Sequence, residues 1–161
     1  MGTVIVYYSM LGDSKMVAER IAEKLGADIL RIEPDKAYPD KGAKKFLWGG
    51  KSAVMGEMPI LKPYEFDASG YDRIIIGFPV WASRPAPPIN TFLNDQKEKI
   101  RGKKIAVFAC QSGNGAEKAF ERIKKQIGIE AFEAELILID PKTRVNADND
   151  RKIDSFCEKL L

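Results

Sequence analysis

The residues most able to do chemistry are Ser9-Met10-Leu11-Gly12-Asp13-Ser14-Lys15, which follow the apolar run Val4-Ile5-Val6-Tyr7-Tyr8 and lead into Met16-Val17-Ala18. A buried strand that breaks into a small polar loop and at once starts a helix aims several backbone N–H groups and a helix N-terminus at one spot, which favours a phosphate or another anion. Ser9 and Ser14 add hydroxyl donors. Gly12 has no Cβ, so the backbone can turn sharply there and approach a ligand. The same pattern also fits a purely structural connection, so the other loops have to decide.

Two further loops carry candidate groups. Pro79-Val80-Trp81-Ala82-Ser83-Arg84-Pro85-Ala86-Pro87-Pro88 sets a tryptophan directly after a core strand, among residues that stiffen the chain. A flat ring held this way can stack on a planar ligand; alternatively, Trp81 packs beneath the loop as core. Arg84 is either a solvated loop residue or a contact for an anionic substrate. Cys110-Gln111-Ser112-Gly113-Asn114-Gly115 precedes a helix. It is either a plain connection or a source of backbone groups and the Gln111 amide for the edge of a heterocycle. Cys110 is either an inert buried thiol or a neighbour of that heterocycle.

The elements that must position these loops are legible as periodicity. Five apolar runs read as strands, at residues 3–8, 28–32, 73–77, 104–109 and 133–139, and three of them are apolar almost throughout, as strands buried on both faces are. Helical stripes at 14–25, 115–127 and 149–161 fall between and after them, with Asp148 or Asn149 as N-cap of the last, and another helix starts near Pro87 or Pro88. The irregular segment 33–70 holds four of the nine prolines and a helical stretch at about 42–55. Alternating βα units imply a single α/β domain over residues 1–161. It is three-layered and doubly wound, with a five-stranded parallel sheet in the order 2-1-3-4-5. Ligands of such sheets bind outside the strand carboxyl ends at the switch point, where the three loops should converge.

Composition excludes much else. The 161 residues hold 45% apolar residues, enough for a core, yet no run approaches the ~20 residues of a membrane span. Met1-Gly2-Thr3 runs straight into a strand, so a leader is not expected and a cytoplasmic location is. The chain has no histidine, which removes His-based triads, bases and metal ligands. Cys110 and Cys157 form no CxxC, so neither a disulfide framework nor a metal site is indicated. With 26 basic and 23 acidic residues the net charge is +3, a near balance that points to neither nucleic acid nor an anionic membrane.

Taken together the motifs resemble the flavodoxin superfamily over essentially the whole chain. Flavodoxins carry T/S-x-T-G-x-T after the first strand, and Ser9-Met10-Leu11-Gly12-Asp13-Ser14 is similar to it. Gly77-Phe78-Pro79-Val80-Trp81 with Ala86-Pro87-Pro88-Ile89, together with Trp48-Gly49-Gly50, resembles a flavodoxin-like subgroup, and Ser112-Gly113-Asn114-Gly115 resembles the third flavin loop. Two residues depart from the pattern. Leu11 stands where a hydroxyl is usual, and Asp13 sets a carboxylate either against a phosphate or over the first helix as its cap.

The resemblance implies FMN, with its 5′-phosphate on residues 9–15 and its ring flanked by Trp81. Backbone groups of Val80, Ala82, Gln111 and Gly113 would meet the polar edge, with Pro79, Cys110, Ser112 and Gly115 beside them. It also implies electron transfer to redox partner proteins. An alternative is an NAD(P)H-dependent reductase of quinones or similar small acceptors, and a third is a non-redox module that binds FMN poorly. Bound flavin colour separates the third from the others, and NADPH–quinone turnover separates the first two.

Overall fold

A computed structural model describes residues 2–38 and 56–161. The helical stretch expected at about 42–55 and the Trp48-Gly49-Gly50 motif lie outside the described residues. In chain order the elements are β1 (Gly2–Tyr7), α1 (Asp13–Leu25), β2 (Asp28–Arg31), a 3-10 turn (Ala68–Gly70), β3 (Tyr71–Trp81), β4 (Arg84–Pro85), α2 (Pro87–Ile100), β5 (Lys104–Gln111), α3 (Ala116–Ile127), β6 (Glu135–Ile139) and α4 (Ala147–Lys159). The main sheet runs β2-β1-β3-β5-β6, all parallel, and the two-residue β4 pairs antiparallel with the end of β3. Counted over its parallel strands, this is the expected 2-1-3-4-5 order.

Period-two alternation in the strands divides the core. Val4, Val6, Ile74, Ile76, Phe78, Val107 and Ala109 face one side, where α2 and α3 cover them with Ile89, Phe92, Ala119, Phe120 and Ile123. Ile5, Tyr7, Ile75, Ala106, Phe108, Leu136 and Leu138 face the other, under Val17, Ala18 and Ile21 of α1 and Ile153 and Phe156 of α4. The near-continuous apolar runs are therefore two interleaved faces, each with its own helix layer. At the amino edge of the sheet Arg73 forks onto Glu133 at 2.8 and 2.7 Å and also donates to the Leu160 carbonyl, which ties β3 to the end of α4.

Several boundaries differ from the sequence expectation, among them β5, which runs on through Cys110 and Gln111 where a loop was expected after Ala109. The strand expected at 73–77 runs on to Trp81, because Phe78 and Pro79 continue the β5 ladder opposite Ala109 and Cys110. Proline marked a loop in the sequence, but at a strand end its missing N–H is not needed, and its carbonyl accepts from the Ala86 N–H. The last helix starts at Ala147, and its cap is Asn146, whose Oδ1 accepts from the Asn149 N–H at 2.8 Å, not Asp148 or Asn149. The last strand begins at Glu135 instead of 133, since Glu133 turns its N–H to Ile105 and its carboxylate to Arg73.

Gly77 is the tightest point of the sheet. A Cβ there would lie 2.0 Å from Phe108 Cζ. Gly77→Ala should therefore destabilise by roughly 1–3 kcal/mol through overpacking, and adding Phe108→Leu should return part of the loss. Urea denaturation of the two single variants and the double variant reads this coupling.

Candidate functional site

β1, β3 and β5 end at one edge of the sheet, and their loops enclose a cavity of about 260 Å³, many times the ~30 Å³ share of one water in the liquid. Of the residues singled out from the sequence, Ser9, Met10, Leu11, Asp13 and Ser14 line it from the first loop. Pro79, Val80, Trp81 and Ala82 line it from the second, and Cys110, Gln111, Ser112 and Gly113 from the third. Three do not. Gly12 forms the turn behind the wall, Lys15 turns outward toward Glu19 at 4.0 Å, and Gly115 backs onto the second loop.

The first loop is built around Gly12, whose φ of 101° closes the turn as N-cap of α1 without a side-chain cap bond. Its N–H donates to Ser9 Oγ at 3.2 Å, so the Ser9 hydroxyl is used within the loop. Asp13 does not cap the helix: it is the first helical residue, and its Oδ1 accepts from the Lys142 N–H at 2.9 Å. Ser14 is 1% exposed, and its Oγ has no hydrogen-bond partner. A buried hydroxyl with no protein acceptor, on the wall of a cavity and in the first turn of a helix, is a candidate donor to whatever occupies that cavity.

The second loop is a two-residue hairpin turn. Ala82 and Ser83 have φ of 51° and 60°, the positive values that a tight hairpin between Trp81 and Arg84 requires. Non-glycine residues adopt this backbone at about 1–2 kcal/mol each, and the surroundings hold it there. Gly115 packs so closely that a Cβ on it would lie 2.8 Å from Ser83 Cα. Trp81 is partly buried. It lines the cavity, and its ring meets Tyr8 at 5.8 Å and Tyr38 at 5.2 Å edge to face. Arg84 sits outside the cavity wall.

In the third loop the Gln111 amide is partly committed, because its Oε1 accepts from the Ala116 N–H at 2.9 Å and caps α3. Cys110 is 4% exposed, and burial pushes its thiol up to about 12, with Asp13 and Asp140 acting in the same direction. The nearby Ser14 hydroxyl offsets a little of this, although no hydrogen bond of ordinary geometry joins the two.

The sequence reading missed a fourth loop, which follows β6. Asp140, at φ 41°, lines the cavity and accepts from Ser112 Oγ at 2.7 Å. Lys142 Nζ donates to the Leu11 carbonyl at 2.9 Å. Asn114, named in the third loop but given no role there, also lines the cavity. The available signal was positional: Asp140-Pro141-Lys142-Thr143 is a polar stretch at another strand carboxyl end. Among the described residues no cluster of three or more His, Cys, Asp or Glu is placed to hold a metal, and no helix is long and apolar enough to cross a membrane.

A doubly wound parallel sheet with a polar-and-apolar cavity at its carboxyl edge defines a ligand-binding α/β protein of the switch-point type. A family model described as flavodoxin matches residues 2–149, and the chain belongs to that family. Among solved structures it is similar to a flavoprotein from Lactobacillus acidophilus in complex with FMN, with a TM-score of 0.72 and 22% identity over 94% of this chain and 97% of that one. It is also similar to the two-electron reduced flavodoxin of Megasphaera elsdenii, with a TM-score of 0.61 and 19% identity over 98% and 96%. Oxidised Flavodoxin 2 from Bacillus cereus gives 0.56 and 19% over 99% and 97%. These likenesses establish the fold. No curated protein matches the chain.

Two outcomes follow from the buried groups. Ser14→Ala should leave the ligand-free protein equally stable or more stable, by up to about 1 kcal/mol, because it removes an unpaired buried hydroxyl; urea denaturation measures this. Cys110 should resist a thiol-specific disulfide reagent at neutral to mildly alkaline pH and react once unfolded. Its raised value favours the protonated fold, so its share of stability is complete below the free-thiol value and lost as pH rises from there toward about 12. Cys110→Ala should remove that share of the alkaline decline.

Proposed function

We propose that this protein is an electron carrier. In this reading it is one flavodoxin-like domain spanning residues 1–161, works in the cytoplasm, binds FMN in the cavity at the sheet's carboxyl edge and passes electrons to protein partners. FMN is the cofactor of the flavodoxin family, and when bound it supplies reversible one- and two-electron transfer. The observation that carries the FMN part of the reading, common to a carrier and a reductase, is the orphaned Ser14 hydroxyl, buried at the start of α1 on the cavity wall. A phosphate oxygen there would satisfy it together with the first-turn N–H groups of α1, which have no acceptor within their own helix.

The other residues fit the same ligand. Trp81, braced by Tyr8 and Tyr38, offers an aromatic wall for a planar ring. Val80, Ala82, Gln111 and Gly113 line the cavity, and those of their backbone groups not already paired in the strands and loops would meet the polar edge of a heterocycle. Pro79 and the Ala82–Ser83 turn keep that wall rigid, which lowers the ordering cost of binding. Cys110 stays protonated and closes the floor as an apolar surface.

Titration of the apo-protein with FMN should quench flavin fluorescence with a Kd of about 1 µM or below, and riboflavin should bind more weakly. Absence of binding at ~100 µM, equivalent to a free energy weaker than about −5.5 kcal/mol, would sink the assignment. Ser14→Ala should weaken FMN binding while sparing stability. Trp81→Ala should cost roughly 1–3 kcal/mol of FMN affinity, with a modest stability loss from the two tyrosine contacts. Steady NADPH-driven reduction of a quinone by the holoprotein would overturn the carrier role in favour of a reductase.

The charge balance bears on the potential. With 26 basic and 23 acidic residues, long-range repulsion of an added electron is weak at physiological ionic strength. The two-electron-reduced state should therefore lie at a less negative potential than in strongly acidic flavodoxins. Dye-equilibrated redox titration measures it; a potential as low as theirs and insensitive to salt would show that local dielectric and hydrogen bonds set the value.

A further inference from the structure

We propose that Lys142, in the loop after β6, is the counter-charge for the anion held on residues 9–14 and sets the preference for phosphorylated over unphosphorylated flavin; this rests on the FMN reading above. The first loop is short of positive potential in two ways. Leu11 supplies no hydroxyl and is 47% exposed. Asp13 places a carboxylate in the first turn of α1, beside the position that an anion would take. A phosphate dianion brought to this turn would meet a fixed negative charge with one side-chain donor fewer than the family pattern provides.

The fourth loop answers both deficits. Its turn is closed by the Asp140 carbonyl, which accepts from the Thr143 and Arg144 N–H groups at 3.1 and 2.7 Å, while the Asp140 N–H donates to the Gln111 carbonyl at 3.0 Å. That turn presents the Lys142 N–H to Asp13 Oδ1 at 2.9 Å, so the carboxylate is held by a backbone dipole. It also lays the Lys142 side chain across the first loop. Nζ rests 2.9 Å from the Leu11 carbonyl and 2.9 Å from where a Cβ on Gly12 would stand. Gly12 thus serves twice, for its positive φ and for the room it leaves the ammonium.

The charges around this point are few. Asp140 is engaged by Ser112 and lies 3.5 Å from Arg144, and Lys15 faces Glu19. Lys142 forms no ion pair with a described carboxylate. Its ammonium donates to a neutral carbonyl, so its charge is not cancelled by an ion pair among the described residues. The buried, unpartnered Ser14 hydroxyl marks independently where an anion belongs. Lys142 is not among the residues that line the cavity; its ammonium rests on the Leu11 carbonyl at the Gly12 turn behind the wall, and would act on a phosphate held at Ser14 as a nearby positive charge. A charge acting from behind the loop contributes less than a direct charge-assisted bond, and exposure of the ammonium to solvent reduces it further.

The experiment is a fluorescence titration of the full chain with FMN and with riboflavin, at low and high salt, for wild type, Lys142→Met, Lys142→Arg and Asp13→Asn. Lys142→Met should weaken FMN about tenfold, or about 1.4 kcal/mol, change riboflavin less than about twofold, and flatten the salt dependence of FMN binding. Lys142→Arg should keep most of the preference. Asp13→Asn, which can still accept from the Lys142 N–H, should tighten FMN severalfold and leave riboflavin unchanged. Equal weakening of both flavins by Lys142→Met would show a structural tie to Leu11 and overturn the proposal, as would no change in either. If wild type binds neither flavin, the FMN reading itself falls, an outcome that no effect of Lys142 can mimic.

Discussion

Burial of the parallel sheet on both faces is the constraint from which the rest of the structure follows. β1, β3 and β5 carry apolar side chains in both directions, and helices cover each face. Side chains that must meet a polar ligand therefore have nowhere to go but the ends of the strands. The amino edge is closed by the Arg73–Glu133 fork and the end of α4. The carboxyl edge stays open, because β1 has neighbours on both sides whose crossovers leave in opposite directions. The cavity is thus a consequence of strand order, and its lining is whatever the loops bring there.

Those loops carry local costs that the sheet supports. Ala82 and Ser83 hold left-handed backbones, and Ser14 holds an unpartnered hydroxyl. Neither would persist alone in a chain of ordinary stability, and each is fixed by a neighbour: Gly115 against Ser83, and Gly12 at the head of α1. Strain and orphaned polarity gathered at one edge, with a core of ordinary packing behind it, is the expected distribution when a fold is stabilised in one place and used in another.

The two departures from the flavodoxin pattern are both touched by a segment distant along the chain. Within the first loop, Leu11 brings no hydroxyl and Asp13 brings a carboxylate. In three dimensions the segment after β6 lies against the same loop, and its Lys142 meets both residues. A motif judged only along the chain thus understates the site, because a helix N-terminus is an electrostatic feature that groups far away in sequence can complete.

Much of this protein is written in its local sequence. Alternation in VIVYY and RIIIG, and the stripes Val17-Ala18-Ile21 and Ala119-Phe120-Ile123, fix strand and helix because periodicity is a property of adjacent residues. Parallel order and the meeting of three loops follow from connection rules, so thirteen of the residues singled out line one cavity. Tertiary structure alone decided the remainder. Whether Pro79 ends a strand depends on what lies beside it in β5. Gln111 as a helix cap, Tyr8 and Tyr38 as braces for Trp81, Asp140 on the cavity wall and Lys142 against the first loop all arise from pairs separated by anything from 5 to 131 positions. No periodicity encodes such pairs; they exist only once packing of the sheet has brought the loop ends together.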